Sequence, residues 1–118
     1  MSLAARIIEQ AGIPTVIIGS ALDIVEFARV PRYLFTDFPL GNPCGKPYER
    51  RLQEDIFSRA LSLFDAAEEP ETTWGFAAAW EDGVSWRSRY AAVRPDNRAE
   101  LLAVGEARRA SQRAKKTN

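Results

Sequence analysis

The first 67 residues alternate between apolar residues at helical spacing and short unbroken apolar runs. Residues 2–11 are predicted to form a helix, because apolar residues recur there in steps of three and four. These residues are Leu3, Ala4, Ile7, Ile8 and Ala11. Ser2 is placed to cap the helix and Gly12 to end it. The apolar, β-branched run over residues 14–18 is typical of a strand buried on both faces of a parallel sheet.

A second helix and a second strand follow. Ser20 and Asp23 are spaced as in a capping box whose glutamate is replaced by aspartate, which predicts a short helix over residues 21–28. The residues expected on its buried side are Leu22, Val25 and Ala28, or alternatively Ile24. Pro31 opens the second strand, and this strand ends at residues 36–37.

The longest helix is predicted over residues 48–67, where a wide apolar stripe runs along one side. The stripe consists of Leu52, Ile56, Phe57, Ala60, Leu61 and Phe64. Residues 72–77 are rich in β-branched and aromatic side chains and predict a third strand, and residues 81–83 predict a turn. A last helix is expected to start at Pro95 and to continue to about Arg113.

Helices and strands alternate along the chain, and this order predicts an α/β domain, a small parallel sheet with flanking helices that is Rossmann-like in its right-handed crossovers. The 118 residues suffice for a single domain with one modest core. Within it, residues 1–67 would form the α/β core and residues 68–118 a Trp-rich extension with a terminal helix. Two or three strands leave sheet edges exposed, so we expect another chain or segment to complete the sheet.

Composition and charge exclude several classes of protein. A hydrophobic content of 46% with 27% charged residues is typical of a globular, soluble chain. Sixteen basic and sixteen acidic residues cancel, so no overall field attracts nucleic acid or an anionic membrane. No apolar run reaches the ~20 residues that span a membrane, and Glu9 and Gln10 interrupt the N-terminal apolar residues too early for a signal peptide. We therefore expect a cytoplasmic protein with neither nucleic-acid nor membrane partners.

The supply of reactive side chains limits the chemistry further. The chain has no histidine, which excludes serine–histidine and cysteine–histidine hydrolase mechanisms and removes the commonest metal ligand. Cys44 is the only cysteine, so no internal disulfide can form, as suits a reducing cytoplasm. The sequence contains neither a metal-ligand cluster nor a G-x-G-x-x-G fingerprint, so we expect no metal and no nicotinamide cofactor.

Residues 35–47, FTDFPLGNPCGKP, form the most informative segment, because three prolines, two glycines, an asparagine and a cysteine directly follow a predicted strand. Rigid loops at strand ends are where α/β proteins usually bind ligands. Asp37 is a candidate to bind a substrate ammonium group, or else it caps the loop by accepting backbone N–H bonds. Asn42 either offers its amide to a ligand or hydrogen-bonds within the loop.

Two further candidates lie near strand ends. Ser20 stands where a strand ends and a helix starts, and backbone N–H groups there favour a carboxylate or phosphate; an ordinary N-cap is the alternative. Cys44 is the candidate nucleophile, because Lys46 and the start of the long helix would both favour a thiolate. The alternative for Cys44 is a small, partly buried loop residue without chemistry.

The C-terminal half allows two interpretations of its aromatic residues. Trp74, Trp80, Trp86 and Tyr90 either form a cation-binding cage or serve as core and interface anchors, which is the commoner use of such clusters. The basic residues from Arg108 onward are expected to be a solvated helix end rather than an RNA- or membrane-binding tail.

The segments AARIIEQAGIPTVIIGS and PRYLFTDFPLGNPCGKP, with the helix between them, resemble part of a known family. It is the selenoprotein B component of the glycine, sarcosine and betaine reductases, together with the related D-proline reductase proteins. The resemblance is to the C-terminal part of that component and covers residues 2–64. Its most specific pieces are residues 12–14 and 39–43, and the Trp-rich remainder is similar only loosely.

The resemblance implies a component of a reductase that cleaves a carbon–nitrogen bond of a small amino acid or amine. In the family, a redox-active selenocysteine or cysteine precedes the helix that corresponds to residues 2–11. We therefore expect that residue either upstream of Met1, where a selenocysteine codon would encode it, or on another subunit. Ser20, Asp37 and Asn42 would line the substrate site, and a thioredoxin-like protein would donate electrons. The implied assembly is a homo-oligomer or a hetero-complex with the subunit that carries the redox residue. The alternative is a non-catalytic binding or scaffold subunit that retains only the fold.

Overall fold

A computed structural model describes residues 1–80, 85–89 and 92–117, which fall into two compact units, Met1–Arg87 and Ser88–Asn118. The elements are, in chain order, α1 (Ser2–Gln10), β1 (Ile17–Gly19), α2 (Leu22–Phe27), β2 (Arg32–Thr36), α3 (Arg50–Ala66), β3 (Thr72–Phe76), α4 (Ser85–Arg89) and α5 (Arg98–Thr117). No helix in these ranges is long and apolar enough to cross a membrane.

The three described strands form one parallel sheet in the order β1-β2-β3. Ile18 lies opposite Leu34, and Leu34 lies opposite Trp74, so β2 is the central strand. Tyr33, Leu34 and Thr36 of β2 have no exposed surface. The predicted α/β class, a small parallel sheet with flanking helices, is therefore confirmed.

The core of the first unit lies between the sheet and α3. Its buried members are Leu34 of β2, Phe38 just after that strand, and Ile56, Ala60 and Leu63 of α3. The α3 residues recur in steps of four and three, so they lie on one side of the helix. Burying a large apolar side chain stabilises by roughly 1.5–3 kcal/mol, which makes this cluster the main attachment of α3 to the sheet.

The predicted apolar stripe of the long helix is only partly correct. Ile56 and Ala60 are buried as expected, and Leu63, which the prediction omitted, is also fully buried. Phe57 and Leu61 belong to the predicted stripe but are exposed. The buried side is narrower than the apolar pattern because the sheet covers α3 from one direction only.

Strand β1 is shorter and less buried than its apolar run predicted. It covers Ile17–Gly19 instead of residues 14–18, and all three residues are only half-buried, because β1 is an edge strand with one neighbour. Ser20 does not cap α2, whose N-cap is Ala21 without a side-chain cap hydrogen bond. The Ser20 hydroxyl instead lies 3.4 Å from the hydroxyl of Thr36, so the N-cap interpretation of Ser20 is wrong.

Helix α1 forms where it was predicted, but its apolar residues point away from the core. Leu3 and Ile7 are each about two-thirds exposed, and Ala5 is the buried residue of this fully described helix. Ser2 is the first helical residue rather than the cap. Gly12 takes a φ of 82°, the left-handed conformation expected of a residue that ends a helix.

Polar contacts, rather than an apolar stripe, hold α1 to the sheet. Oε1 of Glu9 accepts hydrogen bonds from the backbone N–H of Thr15, from its hydroxyl at 3.1 Å and from Nη1 of Arg32 at 2.7 Å. Both charged side chains are about four-fifths buried, so their attraction is screened less than that of a surface pair. Nε of Arg32 is buried and has no hydrogen-bond partner in the described part of the chain.

Two non-glycine residues with left-handed backbones precede the strands β2 and β3. Arg29 has a φ of 54° and Glu71 a φ of 62°. The two are ion-paired, with Nε and Nη2 of Arg29 each 2.8 Å from Oε1 of Glu71. A left-handed backbone costs a residue with a Cβ roughly 1–2 kcal/mol. An exposed ion pair stabilises by only ~0.2–1 kcal/mol, so this pair does not offset the strain of two residues.

From β3 onward, the structure describes only some of the predicted elements. Strand β3 covers Thr72–Phe76, within the predicted residues 72–77. The turn expected at residues 81–83 lies outside the described residues, and α4 was not expected from the sequence.

In the second unit, α5 begins at Arg98, three residues after the expected start at Pro95. Asn97 stands directly before the helix. Its Oδ1 accepts a hydrogen bond from the backbone N–H of Arg94 at 2.7 Å, and its Nδ2 donates to the carbonyl of Ala92 at 2.9 Å. A turn held by this side chain therefore precedes the helix, which is why α5 starts later than the proline suggested.

Candidate functional site

The loop after β2, residues 37–47, is held by tight backbone turns. Its backbone hydrogen bonds run from Phe38 N to Thr36 O, from Asn42 N to Pro39 O and from Gly45 N to Asn42 O, at 2.8, 2.9 and 3.1 Å. Gly41 and Gly45 take φ angles of 96° and 91°, which a glycine adopts without strain. The loop is therefore a shaped structure at the carboxyl end of the central strand.

Thr36 is the residue that fixes this loop to the sheet. Its side chain is fully buried, and its hydroxyl donates a hydrogen bond to the carbonyl of Pro43 at 2.8 Å. The carbonyl of Gly19 and the hydroxyl of Ser20 each lie 3.4 Å from the same Thr36 oxygen. One hydroxyl thus joins the end of β1, the end of β2 and the middle of the loop.

The three predicted binding residues lie on the chain segments that this hydroxyl joins. Ser20 contacts it directly, Asp37 follows Thr36 in sequence, and Asn42 precedes Pro43, whose carbonyl Thr36 holds. Sequence reasoning treated Thr36 only as a β-branched strand residue. The signal it missed is that a buried hydroxyl at a strand end needs hydrogen-bond partners.

Asp37 has a partner from a distant part of the first unit. Its carboxylate accepts a hydrogen bond from Nη2 of Arg87, fifty residues later in the chain. Both side chains are about half exposed, and the Arg87 guanidinium also lies 5.6 Å from the ring centre of Trp86. A ligand ammonium group would therefore share or displace Arg87 at this carboxylate.

Cys44 lies exposed on the loop, so the partial burial expected of it as a structural residue is wrong. Gly45 beside it is buried, and a Cβ on Gly45 would lie 3.0 Å from Cδ2 of Leu52, so α3 packs directly against the loop backbone. Lys46, the cation expected to favour a thiolate, lies 3.8 Å from the Glu49 carboxylate and 5.5 Å from the ring centre of Trp80. The structure therefore gives Lys46 two other partners besides any thiolate.

The tryptophans do not gather around one empty cation site. The guanidinium of Arg59 lies 4.0 Å from the ring centre of Trp74, and Trp80 packs against Phe38 with ring centres 5.6 Å apart. Each described tryptophan thus has a cation of its own chain on or near its ring. Such contacts stabilise by ~0.5–1 kcal/mol at exposed sites. Tyr90 lies outside the described residues.

Tyr33 is a buried titratable group that the sequence did not single out. Its hydroxyl has no hydrogen-bond partner in the described part of the chain, and it packs 3.3 Å from the position that a Cβ on Gly19 would occupy. Burial, with smaller contributions from Glu26 and Asp23, raises the pKa of Tyr33 to about 12. Tyr33 therefore stays neutral at physiological pH, and a Cβ at residue 19 would require its ring to shift by a few tenths of an ångström.

The carboxyl edge of the sheet presents a hydroxyl, a carboxylate, an amide and a thiol on one folded loop and its neighbouring strand end. Among the described residues, no group of three His, Cys, Asp or Glu side chains could hold a metal ion. These groups can bind a small polar ligand, and the thiol of Cys44 is the redox-capable group among them. No family model, curated protein or solved structure matches the chain.

Proposed function

We propose that this chain is a component of a reductase related to the glycine, sarcosine and betaine reductases or to D-proline reductase. The chain supplies one wall of the substrate site, and a cysteine or selenocysteine on another segment or subunit performs the reduction. The substrate is a small amino acid or amine. A thioredoxin-like dithiol supplies two electrons and two protons and becomes a disulfide; the carbon–nitrogen bond breaks, a carbon–hydrogen bond forms in its place, and the nitrogen takes up the second proton as an amine.

The observation that supports this proposal most is the arrangement around the Thr36 hydroxyl. Ligands of open parallel sheets bind outside the carboxyl ends of the strands. The side chains of Ser20 and Asp37 and the turn that contains Asn42 lie at that edge, and the Thr36 hydroxyl fixes the loop in place. A carboxylate and hydrogen-bonding groups on a fixed loop suit a small substrate with an amino group.

The proposed completion of the sheet by another chain or segment rests on surface properties. β1 and β3 are the edge strands of the three-stranded sheet, and such edges are usually covered in native proteins. Leu3 and Ile7 of α1 and Phe27 of α2 are exposed large apolar residues of the same unit. A Rossmann-like arrangement with added strands, in a homo-oligomer or a hetero-complex, would cover them. The proposal places the assembly in the cytoplasm, where thiols stay reduced.

The second candidate is a non-catalytic binding or scaffold subunit. Two observations favour it. The Asp37 carboxylate is already paired with Arg87, and the tryptophans already hold cations of the chain. Under this alternative the fold and the loop remain, but the substrate site does not form.

Co-purification and an amine-release assay separate the two candidates. The chain is purified alone and with a subunit that carries a cysteine or selenocysteine, and each sample is incubated with a dithiol and a panel of small amino acids and N-methylated amines. The proposal predicts amine release only from the complex, and a loss of that activity when Asp37 is replaced by Asn. A complex that forms but releases no amine from any member of the panel would favour the scaffold subunit.

A further inference from the structure

A cavity of about 430 Å³, open to solvent as a surface groove, lies at the opposite edge of the sheet, away from the Thr36 loop. Its lining residues are Arg6, Glu9, Gln10, Arg29, Pro31, Pro70 and Glu71. They come from the end of α1 and from the segments that lead into β2 and β3, so the cavity lies at the amino ends of the strands. The volume falls within the range of small-molecule sites.

The lining carries two arginines and two glutamates, and groups of both signs have unused hydrogen-bonding positions. Arg6 makes one described hydrogen bond, a long one of 3.4 Å to the carbonyl of Ala28. Arg29 places Nε and Nη2 on one oxygen of Glu71, Oε1. Within the described ranges, no hydrogen bond is made by Nη1 of Arg29 or by Oε2 of Glu71 or Glu9. The cavity therefore offers both donors and acceptors to a ligand.

The backbone at the cavity supports a role in binding. Arg29 and Glu71 both keep left-handed φ angles of 54° and 62°, although glycine would adopt them without strain. Their exposed ion pair does not offset that cost. Strained backbone conformations are often found at ligand-binding sites, and of the three left-handed non-glycine residues in the described part of the chain, Arg29 and Glu71 line this cavity and Tyr48 does not.

We propose that this cavity binds a small zwitterion, with the ligand carboxylate on the guanidinium groups of Arg6 and Arg29 and the ligand ammonium on the carboxylates of Glu71 and Glu9. A lining with two charges of each sign matches a ligand that is itself neutral overall but charged at both ends. Arginine binds a carboxylate through paired N–H donors, which fixes the orientation of the ligand. This site is distinct from the Thr36 loop and does not depend on the proposed function.

The test is a titration of the ¹⁵N-labelled full chain, followed through its backbone amide resonances. The probes are L-alanine, L-serine and 4-aminobutyrate as zwitterions, with acetate and ethylammonium as fragments that carry one charge each. We expect the zwitterions to shift the amides of residues 6–10, 29 and 71, and to do so more strongly than either fragment. The amides of Ser20 and Asn42 report on the other edge of the sheet in the same spectra, so failure at one edge is distinguishable from failure at the other.

Two variants test the assignment. Arg6→Gln removes one guanidinium and is expected to weaken zwitterion binding by about tenfold or more. Arg29→Gly removes the other and relieves the backbone strain, so binding should weaken while the melting temperature stays the same or rises. Arg50→Gln, on the exposed side of α3, is the matched control and should leave binding unchanged.

Three results would overturn the proposal. The first is an absence of shifts at the amino edge with every zwitterion at millimolar concentration. The second is acetate or ethylammonium alone producing shifts as large as those of the zwitterions. The third is a lower melting temperature for Arg29→Gly with unchanged binding, which would mean that the ion pair serves the fold alone.

Discussion

Replacing Thr36 by valine removes one hydroxyl from the centre of the candidate site and keeps the shape of the side chain. The change deletes the 2.8 Å hydrogen bond to the Pro43 carbonyl and leaves the Ser20 hydroxyl without its contact at 3.4 Å. Because residue 36 is fully buried, a water molecule cannot take the place of the missing hydroxyl without opening the loop. Leaving a buried acceptor unsatisfied costs roughly 1–3 kcal/mol, so we expect a loss of about 2 kcal/mol in the free energy of unfolding.

Urea denaturation followed by tryptophan fluorescence measures this loss. At roughly 4 °C per kcal/mol for a domain of this size, the melting temperature should fall by about 8 °C. Hydrogen exchange should locate the effect, with faster exchange at the amides of Asn42 and Gly45, whose turns depend on the position of the loop. Thr36→Ser keeps the hydroxyl and should lose only about 1 kcal/mol, from the missing methyl group.

Thr73 provides the matched control for the valine substitution. It is a half-buried threonine on β3, and its hydroxyl makes no hydrogen bond to any described residue. Thr73→Val should change the free energy of unfolding by less than about 0.5 kcal/mol. If Thr36→Val is equally mild and the loop amides exchange at their original rates, the Thr36 hydroxyl does not hold the loop and the reasoning is refuted.

Three other experiments test separate parts of the fold. Gly45→Ala should destabilise by about 2–3 kcal/mol in urea unfolding, because its Cβ would lie 3.0 Å from an α3 side chain at a φ of 91°. Gly41→Ala, at a φ of 96° in open space, should cost about 1 kcal/mol. Equal costs would contradict the packing of the loop on α3. Glu9→Gln should cost about 1–2 kcal/mol, because the amide oxygen can still accept the three hydrogen bonds but no longer carries the charge that pairs with the largely buried Arg32. Glu54→Gln, from an exposed pair, should cost less than about 0.5 kcal/mol. A similar small effect of both would show that α1 is held by other contacts. Since the pKa of Tyr33 rises from 10.0 in the unfolded chain to about 12 in the folded one, its contribution to stability is complete below pH 10 and is lost between pH 10 and 12. Urea midpoints across that range should show a loss of roughly 2–3 kcal/mol, and Tyr33→Phe should remove this part of the pH dependence; an unchanged dependence in the variant would contradict it.

The local sequence pattern was sufficient to predict the second strand and the long helix. The second strand, Arg32–Thr36, was predicted almost to the residue, because an apolar run between Pro31 and a turn-rich loop has few alternatives. The long helix was predicted for the same reason, since its apolar spacing continues over several turns. The burial of Leu63 was missed, because the pattern shows which side of a helix is apolar but not how wide the covering sheet is.

The wrong or missing predictions concern contacts between residues that are far apart in the chain. The Ser20 hydroxyl was expected to cap α2 but instead faces Thr36, sixteen residues later. The Asp37–Arg87 pair joins a loop to a helix that the local sequence did not predict. β1 was expected to be buried on both faces, and only the strand order shows that it has a single neighbour. None of these contacts leaves a signal in local spacing, because strand order and loop closure decide them.

The central claim is that the chain forms one wall of a reductase site and that the redox residue lies elsewhere. The most direct measurement is thiol-dependent amine release by the complex with the subunit that carries a cysteine or selenocysteine, using wild-type chain and the Cys44→Ser variant. The account predicts no release by the isolated chain, release by the complex, and retention of that activity in Cys44→Ser. Release by the isolated chain, or its loss on replacing Cys44 alone, would contradict the account.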